Sequence, residues 1–202
     1  EYSVWSNAVW GQAKLMIRPT DSSLELFYQG YKGNRGKYTW AQLCQMFWSF
    51  GKLNLAPKEE FIFDWEDDFI ECIQRVDGQG ISNVLWAYAR IEVMPSGRFL
   101  RAWMDVFSQS AHRYMGQEFA NIIWAWSRLD IYPGEDALDQ WYRQYKIAFR
   151  NRDRYPFYPV SSASLRRFGM ELIGDEDEND DENSRVQRPQ RLDDQHDEIF
   201  IN

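Results

Sequence analysis

The chain has 202 residues, 44 % hydrophobic and 17 % aromatic, with ten Trp; that suffices for a sizeable core and fits one or two domains or a short repeat array. Two cysteines (Cys44, Cys72) and two histidines (His112, His196) argue against a disulfide scaffold, a His-based metal cluster and a Ser-His-Asp triad, and no apolar run reaches the roughly 18 residues of a membrane span. The net charge of −8 is uneven: residues 171–202 hold twelve Asp/Glu and three Arg, which leaves 20 Lys/Arg against 19 Asp/Glu in residues 1–170, from totals of 23 and 31.

The predicted elements follow a cycle along the chain. A first helix covers about 4–17, holds Trp10 and is followed by Pro19. The segment GYKGNRGK (30–37), with three glycines and Lys32, Arg35 and Lys37, lacks the GKS or GKT ending of a phosphate-binding loop. It reads as a flexible basic turn between helices. Helices then come at about 40–54, 58–74, 79–92, 96–113, 117–130 and 134–149. Next, FRNRDRYPFYP (149–159) interleaves Arg150, Arg152 and Arg154 with rings. That composition suits single-stranded RNA and a protein docking patch equally well. SASLRRFG (162–169) reads as a degenerate capping helix. The acidic run DEDENDDEN (175–183) has no apolar residue. It reads as a solvated tail, or as an arm on a basic partner, anchored by Ile199-Phe200-Ile201.

A strict period runs through this order. Trp10, Trp48, Trp86 and Trp124 stand 38 residues apart, as do Pro19, Pro57, Pro95 and Pro133. Three residues before each Trp is an amide: Asn7, Gln45, Asn83, Asn121. Three after is a small residue: Ala13, Gly51, Ala89, Ser127. Four after is a base: Lys14, Lys52, Arg90, Arg128. Eight after each Pro is a large ring: Phe27, Trp65, Trp103, Trp141. Such a period is the signature of helix pairs that bury a continuous core only by stacking on neighbours. Proline is expected to stop each Trp-bearing helix, because it cannot continue the hydrogen-bond ladder. The predicted fold class is all-α: an α-α superhelix (solenoid) of about four 38-residue helix pairs over residues 1–150. A degenerate capping half-repeat (151–170) and an acidic tail (171–202) follow, the tail extended or disordered unless partner-bound.

On a helical wheel the apolar columns at Ile81, Val84, Leu85, Ala89 and Ile91 fill a wide arc, while Asn83 and Arg90 share the one polar stripe. That stripe has two readings. A row of cations, one per helix at spacings of about 8–10 Å, can track a phosphate backbone while the amides reach base edges or sugars. Alternatively, the amides satisfy the next repeat and the bases complement the negative helix end. Rings at a fixed place in every repeat are expected in the core: Trp10, Trp48, Trp86 and Trp124 together with Trp65, Trp103 and Trp141. The non-repeating Trp40, Tyr88 and Trp126 stand as freer candidates for contacts. Asp64, Asp67, Asp68 and Glu71 share one helix face, which reads as an exposed charged face rather than a cation site.

The runs LWAYARIEVMP (85–95) and IWAWSRLDIYP (123–133) resemble the octotricopeptide repeat, itself a 38-residue helix pair with an Asn, Leu-Trp-Ala, Lys-Leu signature. It is similar to repeats of RAP-domain proteins. The resemblance spans about residues 4–150. It implies work on organellar RNA, in mitochondria ahead of plastids, including membership of organellar ribosomes. The chain departs from the usual member in having only about four repeats, no visible RAP-like domain and an acidic tail. The reading is a non-catalytic helical-repeat subunit of an organellar ribonucleoprotein assembly, such as a mitochondrial ribosome, that binds RNA, protein or both. No cofactor, metal, small-molecule substrate or membrane insertion is expected. The alternative is a purely protein–protein structural subunit without RNA contact. Candidate RNA-binding residues are Asn7, Lys14, Gln45, Lys52, Asn83, Arg90, Asn121 and Arg128, with Arg150, Arg152 and Arg154 beyond them.

Overall fold

The computed structural model describes residues 3–151 and 160–170, and these residues form helices with no strand among them. The amide, Trp and base columns fall on α1 (Ser3–Lys14), α3 (Trp40–Lys52), α5 (Gly78–Arg90) and α7 (Gly116–Arg128). Between them run α2 (Asp21–Lys32), α4 (Glu59–Cys72), α6 (Gly97–Ser110) and α8 (Glu135–Arg150), and a short α9 (Ser162–Arg167) follows. The odd-numbered helices pack side by side in chain order as one layer, and the even-numbered helices form a second layer over them. None of the described helices is long and apolar enough to cross a membrane.

Local chemistry sets the helix starts. Thr20, Thr39, Asp77 and Ser96 each accept, at the side chain, from the backbone N–H three residues on. Each capped donor would otherwise lack an intrahelical partner. Thr39 and Gln42 complete a reciprocal capping box, and Glu118 accepts from the Met115 N–H at 3.1 Å.

Proline is not what ends the Trp-bearing helices. They stop at Lys14, Lys52, Arg90 and Arg128, five residues before each Pro. The terminator is a left-handed residue, again at a step of 38: Met16 (φ 54°), Asn54 (φ 48°), Glu92 (φ 56°) and Asp130 (φ 56°). The next N–H reaches back five residues in every case: Ile17 to the Gln12 carbonyl (2.9 Å), Leu55 to Phe50 (3.0 Å), Val93 to Tyr88 (3.2 Å) and Ile131 to Trp126 (2.9 Å). This is the Schellman closure, which satisfies carbonyls at the helix end. It holds here without glycine, so each turn bears the cost of a left-handed side-chain residue. The prolines then enter a chain that has already left the helix.

The core lies between the layers. Trp65, Trp103 and Trp141 are fully buried. Each indole N–H donates to a carbonyl in the preceding first-layer helix, 22 residues back: Leu43 (3.0 Å), Ile81 (2.9 Å) and Phe119 (3.0 Å). Phe27 fills the same place in α2, where an indole bond has no donor. Rings stack around these anchors, as Phe47 on Trp65 (centroids 4.2 Å apart) and Tyr145 on Trp141 (4.9 Å). Within the first layer the small residues permit close approach. A Cβ on Gly51 of α3 would stand 2.7 Å from Ala87 of α5.

The three rings expected to be freer are drawn inward as well, and two of them do repeat: Tyr88 and Trp126 continue a buried column at steps of 38 from Phe50. Tyr88 and Trp126 are fully buried and Trp40 is half-buried, so the expectation that they stand free for contacts is corrected. Both Tyr88 and Trp126 occupy a position where first- and second-layer helices meet: Tyr88 lies 5.3 Å from Phe99, and Trp126 5.5 Å from Phe107, between centroids.

The burial pattern ranks the tryptophans. Trp103→Ala is expected to cost roughly 3–5 kcal/mol, since it leaves a cavity and an unfilled carbonyl. Trp86→Ala, at a half-buried ring, should cost under about 2 kcal/mol. Urea melts of the two variants check the order, and equal losses would contradict it.

The same core makes the fold sensitive to alkali. Burial pushes the hydroxyls of Tyr38, Tyr114 and Tyr145 up to about 12. It raises those of Tyr31 and Tyr88 as well, with Asp68 and Glu66 adding to the shift. The folded state therefore favours the neutral phenol. That stabilisation is complete below the ordinary tyrosine value of 10.0 and is lost as pH rises through about 12. Tyrosinate absorbance and circular dichroism, followed together, should show unfolding begin above pH 10.

Candidate functional site

Amide, tryptophan and base stand at i, i+3 and i+7 on each first-layer helix, so they lie on one face. The structure turns that face away from the core. In α5 the buried residues leave a stripe of Gln79, Asn83, Trp86 and Arg90. Trp10 is 40 % exposed, and Trp48, Trp86 and Trp124 are half-buried. Four of the seven repeating rings expected in the core thus line the outer surface, and only Trp65, Trp103 and Trp141 are fully buried. The physical reason is the company each ring keeps: three positions from an amide and four from a base, a helical side chain must share their solvent-facing stripe.

The predicted cations meet these rings. The Lys14 ammonium lies 5.5 Å from the Trp10 ring centroid and 5.4 Å from that of Trp48, so it spans α1 and α3. The Arg90 guanidinium lies 5.9 Å from the Trp86 centroid. All three distances are within cation–π range. Lys52 is half-buried and forms no ion pair among the described residues. Arg128 is exposed and bonded to the Glu92 carboxylate.

The amides divide. Asn7 is exposed and Gln45 half-buried. Asn121 is 5 % exposed, and its Nδ2 donates to Oδ1 of Asn83 at 3.2 Å, linking α7 to α5 across 38 residues. That pair fits the structural reading, in which one repeat's amide satisfies the next. Arg150 is exposed at the end of α8, in the other layer. Arg152 and Arg154 lie outside the described residues, as do the predicted acidic tail and most of its preceding aromatic segment.

Two further expectations change. The basic turn at 30–37 is pinned rather than flexible. Arg35 bonds Asp64, reaches the Asp64 carbonyl (3.0 Å), and meets Asp68 through Nη2 (3.1 Å) and Nε (3.2 Å). Tyr31 donates to Asp68 at 2.6 Å. The acidic face of α4 is thus occupied by a guanidinium instead of being an open charged surface, and Arg98 takes Asp67. Glu66 points elsewhere. It is buried, accepting from the Tyr88 hydroxyl (2.8 Å) and the Ser96 N–H (3.0 Å).

The residues that sequence reasoning misplaced are the outer tryptophans themselves. A signal for them existed in the i, i+3, i+7 spacing. What the arrangement offers is a surface of flat rings with interleaved cations and amides, which is binding chemistry for bases and phosphates. No family model matches the chain, and no curated protein matches it.

The amide pair is testable on stability alone. Asn83→Ala leaves the Asn121 amide buried without its acceptor and should cost about 1–3 kcal/mol. Asn7→Ala, at an exposed site, should stay within about 0.5 kcal/mol. Chemical denaturation of both variants makes the comparison.

Proposed function

We propose that the chain is a solenoid of four octotricopeptide-like helix pairs whose outer stripe binds single-stranded RNA, as a non-catalytic subunit of an organellar ribonucleoprotein assembly. The observation that carries this reading is the outward-facing Trp column with Lys14 and Arg90 stacked on its rings. Rings at regular intervals on one face, Trp10 exposed and the other three half-buried, offer bases a stacking platform, worth about 1–3 kcal/mol each. Cations on the same face neutralise phosphates. The near-neutral charge of residues 1–170 means that attraction to RNA must come from such placed groups rather than from the overall field.

The solenoid reading is supported by links that recur at fixed separations, 22 residues for the indole bonds and 38 for the left-handed turns. The organellar setting, mitochondrial ahead of plastid, rests on the resemblance of the 85–95 and 123–133 runs to the octotricopeptide signature. Protein subunits of the same assembly are the expected neighbours.

Titration of the full chain with single-stranded oligouridine at low salt, read by tryptophan fluorescence, tests this. Binding with ring quenching is expected, and Trp48→Ala with Trp86→Ala should weaken it by about 1–3 kcal/mol per stacked base. Absence of binding at low salt would leave the columns as packing devices and favour the protein–protein scaffold.

A further inference from the structure

We infer that the outer stripe is split, with α1, α3 and α5 forming the phosphate-contacting half and α7 with α9 forming a locked end that does not take phosphate. This rests on the RNA reading above and assigns its footprint. Two sets of side chains bear on the split: they agree for α1, α3 and α7, and the charges alone assign α5.

The first set is the charges. At the two later first-layer helices, the left-handed residue that closes the helix comes beside the base of the following helix. Where that residue is acidic the base is captured: Glu92 bonds Arg128, and Asp130 bonds Arg167. The equivalent residues earlier in the chain are Met16 and Asn54, which carry no charge. Lys52 and Arg90, each one helix on from these uncharged residues, and Lys14, on the first helix, have no carboxylate partner among the described residues. The Glu92 and Asp130 side chains are 67 % and 83 % exposed, so their anionic oxygens face solvent, where a phosphate would have to approach. A base held by a carboxylate must give up that partner before it can neutralise a phosphate and displace the counterions condensed on the RNA, whose release drives binding.

The second set is the amides. Asn7 and Gln45 make no side-chain hydrogen bond among the described residues. Asn83 and Asn121 are bonded to each other, and Asn121 is buried. The amides available for a ligand thus lie on the same helices as the uncaptured lysines.

α9 closes the stripe. Its Schellman bonds run from Gly169 to Arg166 (3.0 Å) and from Met170 to Leu165 (3.0 Å), around a left-handed Gly169 (φ 69°). This places it 39 rather than 38 residues after α7. In that register Arg167 takes the base position and Ala163 the Trp position. The base and its acid partner persist, while the stacking ring is gone.

The test is anisotropy of labelled single-stranded oligouridine with the full chain across a salt series. Lys14→Gln, Lys52→Gln and Arg90→Gln should each flatten the slope of log affinity against log salt by about 0.7. Arg128→Gln and Arg167→Gln should leave it unchanged. Glu92→Gln should steepen it by about 0.7, because it frees Arg128. Thermal melts verify that each variant is folded. Equal flattening by all five base replacements, with RNA binding intact, would overturn the split and leave the RNA reading standing. Absence of binding by the unaltered chain would overturn both.

Discussion

An indole N–H buried between two helices has few ways to be satisfied. In α4, α6 and α8 it finds one solution three times, a carbonyl of the helix before it, at 2.9–3.0 Å. Those carbonyls belong to α-helical residues, whose second lone pair remains available after the ladder bond. The bond fixes how deeply each second-layer helix sits and how far it can rotate, because displacement would strand a buried donor. With that rotation set, the ring stacks around Trp65 and Trp141 follow, and the first-layer helices must present their opposite face to solvent. The outer stripe is thus a consequence of the inner anchor.

Much of this was legible in the sequence. The helices fall where the periodic columns put them, and the small column foretells the close approach of α3 to α5. What the columns could not reveal by recurrence alone is direction. Trp86 and Trp103 recur with equal regularity, yet one is outward and the other inward. At about 100° per residue, Trp86 lies near 300° from Asn83, beside Arg90 and outside the apolar arc. Angular position on the helix, rather than recurrence, is what separates the two rings. The helix ends were illegible for another reason. Met16 and Glu92 carry no compositional sign of a left-handed conformation, and the prolines are the more visible stop signals. Arg35 was illegible too, since its acidic partners lie 29–33 residues away.

The repetition is not uniform, and the differences are physical. Between the second and third helix pairs a polar link joins Tyr88, Glu66 and Ser96. One period on, the same places hold Trp126, Met104 and Gly134. The carboxylate acceptor is absent there, and the buried Trp126 Nε1 has no hydrogen-bond partner among the described residues. Gly134 meanwhile adopts a positive φ of 93° that other residues reach only with strain. One period earlier, the Tyr28 hydroxyl accepts from the Lys58 N–H at 3.3 Å. The position thus carries a phenol, a carboxylate and a thioether in succession, and only the first two can receive the N–H that starts the next helix.

The spacing of these links also bears on how the chain finds its fold. The indole bonds join residues 22 apart, and the Asn121–Asn83 bond joins residues 38 apart. Bringing such partners together closes only modest stretches of chain, and closure entropy grows slowly with their length. A structure dominated by contacts of this range has low contact order, which favours rapid folding. It can also begin at any neighbouring pair of helices and spread to either side. Burial is greatest in the middle, where Trp65, Trp103, Tyr88 and Trp126 are all sealed, whereas Leu15 at the end of α1 is 71 % exposed although its counterpart Leu53 is 9 % exposed. Ordering is therefore expected to start around α4 to α6 and reach α1 last, so that fraying of the first helix costs the least.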